Sequence, residues 1–161
     1  MAEHDNLRAL RYLEDLRVGE RFVSGTYQLD NVQIKAFAEQ FDPQPFHLDE
    51  ASARNSFFGG LAASGWHTAA ITMRLLTTTS AMRFAGGMIG AGVELNWPKP
   101  TRPGDVLQVE SEIVDIKFSR SNPHQGFALL KVETLNQKGE AVQEMKATLL
   151  VFRRLDSNVC D

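Results

Sequence analysis

The chain has 161 residues, of which 43% are hydrophobic and 23% are charged. This length suits one domain that buries about two thirds of the surface exposed by its unfolded chain, and the composition is that of an ordinary globular protein. The formal net charge of -3 gives no general attraction to nucleic acid or to an anionic membrane. No apolar run approaches the roughly 20 residues needed to span a bilayer. We therefore expect neither nucleic acid nor a membrane as a partner.

The two ends of the chain are predicted to be loosely ordered. Residues 1–14 are polar and charged and lack the apolar core and cleavage site of a signal peptide, which favours a cytoplasmic protein. The single cysteine, Cys160, can form no internal disulfide, and this fits the same compartment. It lies in a predicted loose tail, residues 155–161, so we expect one domain with its core over residues 18–153.

The first part of the chain predicts one strand followed by helices. Residues 20–29 are rich in strand-forming side chains, with an interruption at Gly25. Asp30 is a typical helix N-cap, and apolar residues recur after it at helical spacing. Pro43 must end that helix. The acidic start of residues 49–54 predicts a further short helix.

The most apolar segment, residues 66–82, carries one charged side chain, Arg74. A helix that is apolar nearly all round is normally buried with other elements on most of its sides. The rest of the chain alternates apolar and polar residues, as half-buried strands do, over residues 91–97, 106–118, 127–135 and 141–152. The apolar phase slips by one residue inside the second of these segments, which predicts a β-bulge near residues 111–113. Because strands and helices are segregated, we expect an α+β fold with an antiparallel sheet wrapped around the long helix.

A rigid segment between the predicted helices, residues 42–47 (DPQPFH), carries an acid and a histidine. Each proline pushes the residue before it out of the helical region, so Asp42 and Gln44 should be extended and the segment should form a loop. A carboxylate and an imidazole presented in this way can share one small molecule, such as water. Taken alone, Asp42 would more often end a helix and His47 would more often be a surface or core histidine. Their spacing and the two prolines favour catalysis.

These residues resemble the hydratase motif of the MaoC-like dehydratases, the (R)-specific enoyl-CoA hydratases of the hot-dog fold. The family pattern is Asp, any residue, Asn, Pro, an apolar residue and His, soon followed by an acid and alanines. The similarity extends to Ser64-Gly65, where the family usually has His-Gly, and to residues 100–105, which are similar to its Pro-x-x-x-Gly-Asp. It covers roughly residues 18–153. The chain departs from the pattern at Gln44, which replaces Asn, and at Ser64, which replaces His.

The resemblance implies reversible addition of water to a 2-enoyl-CoA to give a (3R)-hydroxyacyl-CoA, a reaction of fatty acid metabolism. It implies that Asp42 and His47 are the catalytic pair and that the thioester carbonyl lies at Gly65 and Ser64. A backbone N–H at the start of a helix suits an enolate oxygen, because the helix dipole adds positive charge there. The resemblance also implies a homodimer or higher homo-oligomer. We expect no cofactor beyond the CoA of the substrate. We also expect no metal, since no cluster of His, Cys and acidic residues has the spacing of metal ligands.

Four further residues are expected to contact the substrate: Gln44, Phe46, Phe57 and Trp66. For Phe57 and Trp66, ordinary core packing is an equally good interpretation. We interpret His67 as a packed, hydrogen-bonded core histidine in preference to a substrate contact. Lys99 and Arg102 are weak candidates for contacts with the CoA phosphates.

Two other functions stay open. A thioesterase on the same fold would attack the carbonyl carbon, and a non-catalytic subunit would bind acyl thioesters without turnover. The Asp-x-x-x-x-His arrangement argues against both. The sequence leaves open the length and branching of the acyl chain, the choice between CoA and acyl carrier protein, and the physiological direction of the reaction.

Overall fold

A computed structural model describes residues 10–154 of the chain. The predicted tail at residues 155–161, Cys160 within it and most of the predicted arm lie outside the described residues. Between residues 10 and 154, no helix is long and apolar enough to cross a membrane.

The described chain forms one five-stranded antiparallel sheet and four α-helices. The strands are β1 (Arg21–Gln28), β2 (Ile89–Asn96), β3 (Val106–Phe118), β4 (Gln125–Leu135) and β5 (Ala141–Phe152). The helices are α1 (Asn31–Phe41), α2 (Pro45–Leu48), α3 (Glu50–Arg54) and α4 (Gly65–Thr78). The strands lie in the order β1-β3-β4-β5-β2, and the sheet packs against α4. The predicted sheet around one long helix is therefore confirmed.

The alternation of apolar residues decides which face of the sheet meets the core. In β4, for example, Ala128, Leu130 and Val132 are all buried, as the period of two requires. The predicted bulge is also present, but the register shifts between Ile113 and Asp115, slightly later than expected. The inserted residue, Val114, is exposed, and after the slip Ile116 packs, partly buried, against the core.

Local signals set the bounds of the helices before α4. Asp30 caps α1 by accepting a hydrogen bond from the Gln33 N–H at 2.8 Å, and the Gln33 side-chain oxygen Oε1 accepts one from the Asp30 N–H at 2.9 Å. Residues 45–48, which we expected in a loop, form the single turn α2 instead. Pro45 stands at its first position, where a missing N–H costs nothing. His47 therefore lies on a short helix.

One side of α4 faces the sheet and the other faces solvent. Thr68 and Thr72 are buried and hydrogen-bond to Thr101 and Thr134 at 2.9 and 2.6 Å, so their hydroxyls are satisfied inside the core. Away from these buried threonines, Trp66 and Met73 are exposed. The expectation that this helix is covered on most sides is thus met only on the sheet side within the single chain.

Residues 11–15 are packed, although most of them fall in the predicted loose arm. The Arg11 guanidinium contacts Glu20 at 2.8 Å, and the Arg11 N–H donates to the Arg83 carbonyl oxygen at 2.9 Å. Leu13 and Leu16 are buried in the core. The structure differs from the prediction here because two leucines anchor a segment whose overall composition is charged.

Candidate active site

Asp42 and His47 meet where α1 ends and α2 begins. The backbone of Asp42 (φ -153°, ψ 67°) and that of Gln44 (φ -91°, ψ 142°) lie outside the helical region, as the two prolines require. The Asp42 N–H donates to the Ala38 carbonyl oxygen at 3.0 Å and closes the end of α1. One helical turn then brings the His47 ring back, so that its Nε2 lies 3.4 Å from Asp42 Oδ2. The two predicted catalytic side chains are therefore neighbours.

A backbone carbonyl fixes the tautomer of His47. Its Nδ1 lies 2.7 Å from the Ala62 carbonyl oxygen, inside the protein. Because a carbonyl oxygen can only accept, Nδ1 must carry the hydrogen. In the neutral imidazole, Nε2 therefore presents a lone pair on the side of Asp42. A molecule that donates hydrogen bonds to both groups, such as water, satisfies a carboxylate oxygen and this lone pair together.

Three neighbouring side chains hold Asp42 in its ionised form. Burial raises the pKa of Asp42, but hydrogen bonds from the Ser64 and Gln44 side chains and the charge of His47 outweigh it, so the pKa falls below its ordinary value of 3.8. The Gln44 Nε2 donates to Asp42 Oδ1 at 2.6 Å. Gln44 therefore orients the carboxylate.

The first turn of α4 lies beside this carboxylate. Ser64 is almost completely buried and is the N-cap, accepting from the Trp66 N–H at 3.3 Å. The N–H groups of His67 and Thr68 donate to the Ser64 carbonyl oxygen. The Gly65 N–H is left without an acceptor among residues 10–154, as is usual for the first amide of a helix. It is a preorganised donor at the positive end of α4.

The space beside Gly65 is occupied by a residue that the sequence analysis did not single out. A Cβ atom at Gly65 would lie 2.6 Å from the indole ring of Trp97. Trp97 in turn donates from Nε1 to Gln143 Oε1 at 3.0 Å. We had expected the glycine to admit a ligand. In the single chain, the indole of Trp97 occupies that space instead. The only signal for this contact in the sequence was a predicted strand, residues 91–97, that ends in Trp97.

Aromatic rings wall one side of His47. Phe46 packs edge-on against the imidazole, with ring centroids 4.6 Å apart, and Phe58 contacts Phe46 at 5.1 Å. Phe57 is 98% exposed and Trp66 is 61% exposed. The structure thus brings Phe46 to the candidate site, while Phe57 and Trp66 present their rings to solvent within the single chain.

His67 is packed but not hydrogen-bonded as expected. Its ring stacks on Phe37 with centroids 4.5 Å apart and planes 1° apart. Its Nδ1 is buried and has no partner within the described part of the chain. Burial lowers the pKa of His67 below 6.5, so the ring is neutral at pH 7. The predicted packing of His67 is confirmed, but its Nδ1 lacks the hydrogen-bond partner that a hydrogen-bonded core histidine would have within residues 10–154.

The two cations proposed for the CoA phosphates are engaged within the chain. Lys99 Nζ lies 2.6 Å from Glu140 Oε1, and the Arg102 guanidinium binds backbone carbonyl oxygens of residues 58–61. Among residues 10–154, no three His, Cys, Asp or Glu side chains are grouped so that they could hold a metal ion.

An apolar cavity of about 440 Å³ lies between α4 and the sheet on the side of β2. Its walls include Met73, Leu76, Val93, Leu95, Met145 and Leu149. Met73 stands eight residues after Gly65, which is about 12 Å along a helix. The sequence analysis missed this cavity because its walls come from four separate segments.

Comparisons with known proteins agree on one family. The family model described as MaoC like domain matches residues 16–135. A crystal structure of a MaoC-like dehydratase from Rhodospirillum rubrum is 57% identical and aligns with a TM-score of 0.87, covering 90% of this chain and 99% of that chain.

Two curated relatives support the same assignment. The uncharacterized protein YdeM of Bacillus subtilis is 33% identical over 144 residues, which cover 88% of this chain and 99% of YdeM. A 3-hydroxybutyryl-CoA dehydratase of Methylorubrum extorquens is 33% identical over 112 residues, 68% of each chain. With more than half of its residues matched by the family model and with the sheet wrapped around α4, the chain belongs to the MaoC-like dehydratase family and has the hot-dog fold.

Proposed function

We propose that this chain is a cytoplasmic acyl-CoA hydratase that adds water reversibly to a 2-enoyl-CoA and forms a (3R)-hydroxyacyl-CoA. One observation carries the proposal. The Asp42 carboxylate and the Nε2 lone pair of a buried, tautomer-fixed His47 face the same point at a separation of 3.4 Å. The name of the Methylorubrum relative, a 3-hydroxybutyryl-CoA dehydratase, supports the same class of reaction.

The proposed reaction begins with a water held by both groups. Asp42 accepts one hydrogen bond and His47 Nε2 accepts the other, which aims the water oxygen at C3 of the enoyl group. As the O–C3 bond forms, the proton leaves the water for the Asp42–His47 pair, and the electrons of the C2–C3 double bond move toward the thioester oxygen. The proton is then delivered to C2, and the carbonyl forms again.

The charge that develops on the thioester oxygen needs a donor in a fixed position. The Gly65 N–H suits this role because it begins the 14-residue helix α4, whose dipole adds partial positive charge. Ser64 stands next to it and also contacts Asp42. We assign the thioester to these two residues, with Gln44 and Phe46 shaping the site around the catalytic pair.

The acyl chain is assigned to the cavity between α4 and β2. Its walls are apolar, and its volume of about 440 Å³ falls within the usual range for small-molecule sites. The lining residues include Met73 and Leu76, which follow Gly65 along the same helix. An acyl group bound by its thioester at Gly65 can therefore extend along α4 toward Met73.

The proposed assembly is a homodimer formed through β2. This strand is at the edge of the sheet, and each of its residues except Leu95 is exposed. Val93 on β2 and the neighbouring Met73 and Trp66 on α4 are exposed apolar residues. A second copy would satisfy the free strand edge and cover these side chains. Light scattering should give twice the chain mass of 17.9 kDa, whereas a monomer would contradict this assembly.

The decisive assay for the function follows the ultraviolet absorbance of the enoyl thioester of crotonyl-CoA in parallel with free thiol. We expect the absorbance to decay without release of thiol, since hydration keeps the thioester. Release of thiol at the same rate would mean a thioesterase. Tight binding of crotonyl-CoA without either change would mean a binding subunit.

A further inference from the structure

Arg102 binds the backbone of the segment that leads into α4. Its Nη1 donates to the Gly60 carbonyl oxygen at 2.9 Å and to the Leu61 carbonyl oxygen at 3.3 Å. Its Nη2 donates to the carbonyl oxygen of Phe58. One guanidinium therefore holds three carbonyl groups of residues 58–61, a segment more than 40 residues away in sequence.

The next carbonyl along this segment belongs to the catalytic geometry. The Ala62 carbonyl oxygen accepts the hydrogen bond from His47 Nδ1 at 2.7 Å. The Ala63 N–H then donates to the Thr101 carbonyl oxygen at 2.9 Å. The acceptor of His47 is thus flanked on both sides by contacts with Thr101 and Arg102.

Hydrogen bonds also hold the backbone of Arg102. Its backbone N–H donates to Asp105 Oδ2 at 2.7 Å, and the other oxygen of Asp105 accepts from Gln137 Nε2 at 3.1 Å. Asp105 is buried. Hydrogen bonds therefore run without a break from the β4–β5 connection through Asp105 and Arg102 to residues 58–61.

The held segment needs such support. Gly59 has a positive φ of 63° and is followed by Gly60, so two residues without side chains form the bend. Glycines leave the backbone many other conformations. A planar guanidinium with five donors can bind several carbonyl oxygens at once, whereas a lysine ammonium on a flexible stem acts as a point charge.

We propose that Arg102 is a positioning residue for the active site. By holding residues 58–61 it fixes the Ala62 carbonyl, and this carbonyl keeps the hydrogen of His47 on Nδ1 and turns the Nε2 lone pair toward Asp42. The consequence for catalysis rests on the proposed function, whereas the tautomer of His47 does not depend on any reaction.

The direct test is a long-range ¹⁵N–¹H spectrum of the His47 ring in the wild type, in Arg102→Met and in a control variant, Lys99→Met. Lys99 is a cation in the same β2–β3 connection as Arg102. We expect the hydrogen on Nδ1 in the wild type and the control, and a mixture of tautomers in Arg102→Met. Arg102→Lys should lie between them. If Arg102→Met does not fold, Arg102→Lys still decides the point, and an unchanged tautomer in it would contradict the proposal.

Kinetics separate positioning from a contact with CoA phosphate. Displacing a catalytic group by about 1 Å costs up to about 10²-fold in rate. We therefore expect kcat to fall about 10- to 10²-fold in Arg102→Met, equally for crotonyl-CoA and for the crotonyl thioester of N-acetylcysteamine, which has no phosphate. Added guanidinium ion should restore part of the rate.

A rise in KM for the CoA substrate alone, with kcat unchanged, would make Arg102 a phosphate contact and overturn the proposal. If the wild type itself failed to hydrate either thioester, the proposed function would be wrong. The tautomer spectra would still decide the role of Arg102.

Discussion

Two buried histidines lie close to the start of α4 and have opposite surroundings. His47 is 4% exposed and His67 is 7% exposed. His47 has a carbonyl acceptor at Nδ1 and a carboxylate near Nε2. His67 has an aromatic ring against its face and no partner at Nδ1 within residues 10–154. Burial alone therefore does not prepare a histidine for proton transfer, and polar partners that fix the tautomer make the difference.

The contrast extends to charge. The neighbours of His47 include an ionised carboxylate whose pKa is lowered, after the opposing effect of burial, by Ser64 and Gln44. Burial alone acts on His67 and lowers its pKa, so His67 stays neutral and serves packing.

Replacing His47 should remove most of the activity. In His47→Gln the water loses one of its two acceptors and the proton loses part of its route, so we expect the hydration rate to fall about 10²- to 10⁴-fold. The crotonyl-CoA assay measures this loss. The exposed His124, changed to Gln, is the matched control and should leave the rate unchanged. Equal rates in both variants would remove His47 from the mechanism.

Replacing Ser64 should weaken the carboxylate side of the pair. Ser64→Ala removes a hydrogen bond from Asp42, so the pKa of Asp42 should rise, and the acid limb of the pH–rate profile should move to higher pH. Loss of the α4 N-cap should also lower the free energy of unfolding by about 1 kcal/mol. Ser80→Ala, which removes an exposed hydroxyl, is the control. An unmoved acid limb would mean that Ser64 does not act on Asp42.

The stability of the fold should also depend on pH through Asp42. Its folded pKa is lower than its unfolded value, so its contribution to stability is present above pH 3.8 and is lost as the pH falls through the folded pKa. Ser64→Ala should therefore lose less stability than the wild type when the pH falls below 3.8. Urea unfolding across this range measures the difference.

Replacing His67 should have the smallest effect, and it should raise the stability of the fold, whereas replacing Ser64 should lower it. His67→Phe keeps a ring against Phe37 and removes the buried nitrogen without a partner, so we expect the free energy of unfolding at pH 7.5 to rise by about 1 kcal/mol. Because the folded pKa of His67 is lowered, its contribution to stability is lost as the pH falls from 6.5 toward that pKa. The loss between pH 7.5 and pH 5 should shrink in the variant.

His67→Leu is a second variant that removes the nitrogen but also the aromatic stacking, and it should be less stable than His67→Phe. Both should retain hydration activity. A large loss of activity in His67→Phe with an intact fold would assign His67 to the reaction and would contradict the contrast with His47.

Much of the fold could be predicted because its signals are local. Asp30 caps α1 through a residue three positions away, and Pro43 ends the helix by its own geometry. Alternation within β4 and β5 predicted the face that packs on α4. The turn α2 was missed because four residues carry too little periodicity to distinguish a helical turn from a loop.

The candidate site could be predicted only in part. Asp42 and His47 are five positions apart in the sequence, so the sequence could indicate that they meet. The Ala62 carbonyl, by contrast, is 15 residues from His47, and the carbonyl groups held by Arg102 are 41 to 44 residues away from it. Spacing along the chain does not encode such contacts, because they depend on how the folded segments pack.

The most direct test compares hydration of crotonyl-CoA by Asp42→Asn and by Asp49→Asn. Both changes replace one carboxylate with an amide of the same shape, and Asn can still cap α3 at position 49. We expect Asp42→Asn to lose about 10²- to 10⁴-fold in rate with an unchanged circular dichroism spectrum, and Asp49→Asn to keep the wild-type rate. Wild-type rates in both variants would show that Asp42 does not activate the water and would contradict the proposed mechanism.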